Sequence, residues 1–104
     1  MTCTTELNII DQVATITLHG EITTNTAAIF QEVIERTARE KIEQLVLDMT
    51  YLTYMSSAGL RVLIFAKQKM GSQVEIFIVG AGEMIIDTLK KVGFHHSVHI
   101  VENR

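Results

Sequence analysis

Short aliphatic runs alternate with longer apolar blocks of helical period along this chain, which limits the fold to one whose strands are joined by crossover helices. Gln44 to Met49 is a short aliphatic-rich run that stops at an aspartate, as a strand buried on both faces does. Val74 to Val79 repeats that pattern after a break at Gly71-Ser72-Gln73. Between them, Leu60, Leu63, Ile64 and Ala66 to Met70 recur at three- and four-residue steps with Arg61, Lys67 and Lys69 interleaved, the period of a helix. Upstream, Thr23-Thr24-Asn25-Thr26 offers cap residues before a stripe of Ile29, Phe30, Val33, Ile34 and Ala38, set opposite Gln31, Glu32, Glu35, Arg36 and Arg39. Downstream, Gly80-Ala81-Gly82 turns the chain into Glu83 to Val92, whose helical face carries Met84, Ile85, Thr88, Leu89 and Val92. Gly93 stands where a left-handed C-cap belongs. Ser97 to Val101 is expected as a last edge strand.

The chain opens with a different device. Leu7 to Ile10 and Val13 to Leu18 flank Asp11-Gln12, a two-residue connection that can close an antiparallel hairpin; Asp-Gln is not the favoured Asn-Gly chemistry, so the turn type stays open. In the second run Val13, Thr15 and Thr17 alternate with Ala14, Ile16 and Leu18, a half-buried pattern that Gly20 is expected to end. The expected fold is therefore α/β: a mixed four- to five-stranded sheet with an N-terminal antiparallel hairpin, a largely parallel remainder and about three main helices. Its 104 residues make one domain, 1–104.

Composition narrows the function classes. No segment approaches the roughly 18 to 20 uninterrupted apolar residues of a membrane helix, although 47% of residues are hydrophobic. The first residues carry neither a basic nor an apolar signal region, so a cytoplasmic location and no membrane partner are expected. Cys3, the single cysteine, excludes an internal disulfide and a thiolate metal cluster; it is expected on the surface of a frayed end. A formal charge of -3, scattered Lys and Arg, and 6% aromatic residues without Trp oppose a nucleic-acid partner.

The chemistry-bearing segment is Tyr54-Met55-Ser56-Ser57-Ala58-Gly59-Leu60-Arg61-Val62-Leu63, which follows the central strand and a short loop. Its periodicity puts Ser56 or Ser57 near a helix N-cap. A serine there serves as a cap, and the same hydroxyl can carry a phosphate, whose charge the helix dipole favours by about 0.3 to 1 kcal/mol when exposed. Phosphorylation would add about 1.5 to 2 negative charges to a surface expected to be lined by Met55, Ala58 and Leu60. Other constellations are weaker. Gly80-Ala81-Gly82 has Ile85 where a dinucleotide fingerprint needs its third glycine, so no cofactor is expected. His95, His96 and His99, with His19 far away, lack a completing ligand, so no metal is expected. A hydrolase built on Ser57, a histidine and Asp48 would need Gly-x-Ser-x-Gly, but Met55 occupies the first glycine's place.

The serine segment, with the N-terminal hairpin, Gly20-Glu21-Ile22-Thr23 and Asn25, Leu47-Asp48-Met49 and the helix of Gly82 to Phe94, resembles the STAS-domain family of anti-sigma-factor antagonists. The likeness spans almost the whole chain and implies a STAS-like fold. It implies a non-enzymatic partner switch controlled by reversible serine phosphorylation. The unphosphorylated form would bind an anti-sigma factor that is also its serine kinase, of the histidine-kinase-like ATPase type, and a metal-dependent serine phosphatase would reset it. ATP would then come with the kinase. Aligned on Gly59-Leu60, the family's phosphorylated serine falls at Ser57, with Ser56 as the competing acceptor; the partner-binding set falls on Thr23, Thr24, Asn25, Asp48, Met55, Ser56, Ser57, Ala58, Gly59, Leu60 and Arg61. Ser56 and Thr23 stand where many members carry acids, which removes carboxylates from around the phosphate. The alternative is a STAS scaffold that is never phosphorylated and binds a signalling protein or small ligand.

Overall fold

The computed structural model describes residues 2–102, so the first residue and the last two of the expected domain lie outside the described residues. Strand β1 (Cys3–Ile10) pairs antiparallel with β2 (Val13–Ile22) across Asp11 and Gln12. Both turn residues have positive φ, 50° and 66°, the combination of a type I′ turn, whose twist matches the strands it joins. The Gln12 carbonyl accepts the Glu43 N–H at 2.8 Å, tying this turn to the start of the central strand β3 (Gln44–Met55).

From β2 onward the chain is a crossover series: α1 (Ala27–Ala38) leads to β3, α2 (Ser57–Met70) to β4 (Glu75–Val79), and α3 (Glu83–Lys91) to β5 (His99–Val101). The five strands lie in chain order, β1-β2-β3-β4-β5, with β2 through β5 parallel. Right-handed crossovers that always step the same way carry their helices to one face of the sheet. Burial agrees. Phe30, Val33 and Ile34 of α1, Val62, Leu63 and Ala66 of α2, and Ile85 and Leu89 of α3 share one core with Ala14, Ile16, Leu18, Leu45, Leu47, Ile76 and Ile78. The other face stays open to solvent and holds two ring stacks, His19 on Tyr51 at 5.0 Å and Phe77 on His99 at 4.7 Å.

Several expectations need correction. The central strand does not stop at Asp48; it runs to Met55 through irregular pairing with β2. β2 likewise continues past Gly20, whose φ of 96° a side-chain-bearing residue rarely adopts and whose added Cβ would strike the Thr2 carbonyl oxygen. On α1, Ile29 is exposed, and Thr37 takes a buried place by donating its hydroxyl to the Val33 carbonyl at 2.7 Å. On α2, Ile64 is exposed and Leu60 only partly buried. α3 ends at Lys91 and turns Ile85 and Leu89 inward, leaving Met84 and Val92 exposed; Gly93 follows in the left-handed conformation, φ 77°. A short 3-10 turn, Phe94–His96, then shortens the last strand to His99–Val101.

Cys3 is not on a frayed end. It lies opposite Gly20 within β1, is 5% exposed, and burial pushes its thiol pKa up. Both effects keep the reactive thiolate scarce and sheltered. Native protein is therefore expected to react slowly with a chromogenic disulfide reagent and completely once urea has unfolded it; equal rates in the two conditions would contradict a buried Cys3.

Candidate functional site

In a run of parallel strands, every strand-to-helix connection emerges at the same edge of the sheet, the edge where open α/β folds present ligands. Here that edge gathers the loop after β2, the junction of β3 with α2, and the Gly80-Ala81-Gly82 turn before α3. Among the described residues no helix is long and apolar enough to cross a membrane.

The junction is fixed from below. Ile22 pairs with Met55 at the end of the ladder, and the next N–H, that of Ser56, donates to the Ile22 carbonyl at 2.8 Å. Strand alternation then turns Tyr54 outward and Met55 inward. Met55 is 7% exposed and Ala58 8%, so both are largely covered by the start of α2, although Met55 still reaches one of the hollows described below. Met55 supports the first turn of α2 from beneath. A Cβ on Gly59 would collide with Met55 Cγ and come within 2.9 Å of Ile22 Cγ2, so this position admits no side chain unless the core shifts.

The two serines divide the work. Ser56 is the N-cap, extended at φ -82° and ψ 178°; its Oγ accepts the Ala58 N–H at 3.2 Å, and its carbonyl accepts the Gly59 N–H at 3.0 Å. Ser57 is the first helical residue, exposed, and its hydroxyl has no hydrogen-bond partner among the described residues. Arg61 follows four residues later and is also exposed, while the first turn of α2 holds no acidic residue.

Two hollows flank this pair. One, of about 280 Å³, lies between α2 and α3 and is bordered by Ser57, Leu60, Tyr54, Met84, Ile85 and Thr88 among others. The second, of about 530 Å³, lies toward the β2–α1 loop and is bordered by Glu21, Thr23, Thr24, Asn25, Tyr54 and Ser56. Tyr54 and Ser56 belong to both, so the phenol ring is the ridge between them. The loop is held by Thr26, whose Oγ1 donates to the Glu21 carbonyl and accepts the Thr23 N–H, both at 2.8 Å. Thr23 Oγ1 in turn accepts the Asn25 N–H at 3.2 Å, leaving Thr24 and Asn25 exposed.

Of the sequence-predicted residues, the structure brings Thr23, Thr24, Asn25, Ser56, Ser57 and Leu60 to these hollows, with Arg61 beside them on α2. Met55 also touches the first hollow, mostly from within the core, while Ala58 and Gly59 are buried in the helix start. Asp48 is elsewhere. It sits seven residues before the strand's end, roughly 20 Å at strand rise, and its carboxylate accepts the Thr50 N–H at 3.0 Å and the Thr50 hydroxyl at 2.6 Å. Among the described residues no histidine borders either hollow. His95 and His96 touch at 3.9 Å and His99 pairs with Glu75 at 2.9 Å; among the described residues no three ligating side chains converge.

Sequence reading missed Tyr54, Glu21, Met84 and Thr88. Tyr54 was legible from the alternation that buries Met55. Met84, 79% exposed, shares the apolar helical face of α3 with Ile85 and Leu89, but like Val92 it lies outside the part of that face the core covers.

Two substitutions separate the scaffold from the hydroxyl. Gly59→Ala is expected to lower stability in urea unfolding by about 1 to 3 kcal/mol through overpacking against Met55 and Ile22. Ser56→Ala is expected to cost about 1 kcal/mol through loss of the cap, with the folded spectrum retained. An unchanged unfolding midpoint in either variant would contradict the packing or the cap described.

Comparison with known proteins places this geometry. The anti-sigma-F factor antagonist RsfB of Mycobacterium tuberculosis is 31% identical over 72 residues, 69% of this chain; the match spans 59% of that relative's length. The crystal structure of an anti-sigma factor antagonist from Mycobacterium paratuberculosis superposes over 98% of this chain and 87% of its own, with a TM-score of 0.90 at 22% identity. SpoIIAA, another anti-sigma factor antagonist, matches with a TM-score of 0.73 both in its unphosphorylated form (12% identity, 97% and 89% of the two chains) and, from Bacillus, in its phosphorylated form (11%, 93% and 90%). These structural likenesses establish a shared fold. The family model of the STAS domain matches residues 4–104, nearly the entire sequence, and the chain is a member of the STAS-domain family.

Proposed function

We propose that this protein is an anti-sigma-factor antagonist whose grip on its partner is controlled by phosphorylation of Ser57. The observation that carries the proposal is the contrast between the two serines: the Ser56 hydroxyl is engaged in capping α2, while the neighbouring Ser57 hydroxyl is exposed, has no hydrogen-bond partner among the described residues and borders the hollow between α2 and α3. RsfB and the Mycobacterium paratuberculosis protein are both described as anti-sigma factor antagonists, which supports the partner class. SpoIIAA, known in phosphorylated and unphosphorylated forms, supports the mode of control.

In this reading the partner is an anti-sigma factor with serine kinase activity of the histidine-kinase-like ATPase type. It docks on Tyr54, Leu60 and Met84 on one side and on Thr24 and Asn25 on the other. Apolar and aromatic side chains are the anchors, since a few such residues carry most of an interface's energy. The kinase transfers the γ-phosphoryl group of ATP to Ser57 Oγ, the hydroxyl proton passes to a base on the kinase, and ADP leaves. A metal-dependent phosphatase reverses the modification by adding water across the P–O bond, returning the serine and releasing phosphate. The protein itself contributes no catalytic group.

Charge does the switching. A phosphoserine carries about 1.5 to 2 negative charges at neutral pH, which must lose water to stay in a docked interface. Ser57 is outside the core, so the modification needs no rearrangement of the sheet or helices. Unless the partner supplies matching positive groups, docking weakens.

Incubating the chain with ATP and its cognate kinase is expected to add the mass of one phosphoryl group, and Ser57→Ala is expected to abolish that addition while retaining the fold. Phosphopeptide mapping that places the group on Ser56 would reassign the acceptor; no addition would favour the unmodified scaffold. Ser57→Asp supplies one charge and a different shape, so calorimetry is expected to show affinity for the kinase reduced on the order of tenfold, and unchanged affinity would contradict the electrostatic switch.

A further inference from the structure

Arg61 stands one helical turn after Ser57 on α2, at the i+4 position, where side chains share a face. Both residues are exposed. Among the described residues the close contacts between basic and acidic side chains are His19 with Glu6 and His99 with Glu75, and Arg61 has no ionic or hydrogen-bonded partner. The Arg61 guanidinium therefore contributes no ion pair or hydrogen bond to the unmodified fold among the described residues.

The surroundings sharpen the point. The first turn of α2 has no acidic residue to occupy Arg61, and the helix's other basic residues, Lys67 and Lys69, belong to its last turn. α3 borders the hollow beside Ser57 with Met84, Ile85 and Thr88, none of them charged; its acids Glu83 and Asp87 are exposed and do not line that hollow. Tyr54 contributes a phenol, and the carboxylate that borders the neighbouring hollow, Glu21, lies on the opposite side of Ser56. Long helical side chains lean toward the N-terminus of their helix, so the reach of Arg61 is back toward position 57.

We infer that Arg61 is a built-in counter-ion for phosphorylated Ser57, its guanidinium pairing with the phosphate oxygens across one turn of α2. This rests on the reading of Ser57 as the phosphate acceptor. A planar guanidinium offers two parallel N–H groups to phosphate oxygens, a geometry that fixes direction as well as charge. The modified serine is then an oriented pair lying along α2, and a docking partner that accepts the phosphate must displace or share the arginine. In the unmodified protein Arg61 remains free for the partner. The same residue thus contributes to two different surfaces.

The test begins with the full chain carrying phosphoserine installed at position 57 during translation, which requires no kinase. Phosphorus NMR at low ionic strength then follows loss of the second phosphate proton in this chain, in Arg61→Gln and in Arg61→Lys. The native arginine is expected to shift that titration downward by roughly 0.2 to 0.4 pH units relative to Arg61→Gln, with Arg61→Lys between them. Added salt is expected to shrink the difference, as for any exposed pair. In the unsubstituted phosphorylated chain, the Arg61 side-chain N–H resonance is expected to move through the same midpoint, a readout that survives if a variant folds poorly. Coincident titrations in the arginine and glutamine chains, or an Arg61 resonance indifferent to the phosphate, would overturn the pairing. Failure of a kinase to modify Ser57 while the titration shift persists would instead remove the proposed control and leave the pairing intact.

Discussion

The hydrogen bond from the Ser56 N–H to the Ile22 carbonyl, 2.8 Å long, holds the position on which the site depends. It extends the contact of β2 with β3 one residue past the last paired residues, Ile22 and Met55, and there the chain leaves the sheet for a helix. Everything nearby is referenced to that point. Met55 is driven into the core by strand alternation, Gly59 lets the first turn of α2 settle onto it, and Ser57 is left on the outer side. The loop after Ile22 is carried to the same edge because it leaves the partner strand of the same bond. A side chain at position 59 would lift the helix start from Met55 and loosen both hollows together.

Adjacent hydroxyls differ in what they hold: Ser56 caps α2 and Ser57 does not, a contrast by which the proposed modification would distinguish them. Esterifying Ser56 would put a bulky, charged group on the oxygen that accepts the Ala58 N–H, so modification there competes with a cap contributing about 0.5 to 2 kcal/mol. Ser57 carries no such obligation. Under the proposed control, the same separation would let the switch act without unfolding anything. The helix would keep its cap in either state, and only the charge presented at its first turn would change.

Much of the architecture was legible from periodicity, because helical and strand patterns alternate cleanly and the apolar sides of Ala14, Ile16 and Leu18 or of Phe30, Val33 and Ile34 meet the core as their spacing requires. What was not legible came from neighbours distant in sequence. Asp48 resembles a strand terminus because it interrupts an aliphatic run, yet Thr50 satisfies its carboxylate and β2 continues to pair beyond it, so the strand goes on. Cys3 resembles a frayed end until Gly20 is placed opposite it. Ala58 and Met55 look like surface residues beside two serines, but their burial is decided by the start of α2 lying over the end of β3. Of the site itself, Thr24 and Asn25, locally only cap candidates, joined it through the family resemblance, whereas both serines were readable from local chemistry. The α3 wall with Met84 and Thr88 was not, since nothing local to α3 announces that it faces α2 across a hollow.

The sheet order supplies the reason these walls meet at all. Strands added in one direction with crossovers of one hand leave α1, α2 and α3 side by side on the same face, and their preceding loops line up along one edge. A central strand in such a series places the helix that follows it between two neighbours, so its first turn is flanked on both sides. Ser57 begins the helix after β3, the middle strand of five, and borders the hollow shared with α3, while its neighbour Ser56 borders both that hollow and the one beside the loop before α1. A serine at the start of an end helix would have one wall beside it. Under the proposed control, two walls would let modest apolar contacts on each side combine, and a phosphate on Ser57 would stand within that contact, where removing water from charge is costly and a covalent change of one residue has a large effect on binding.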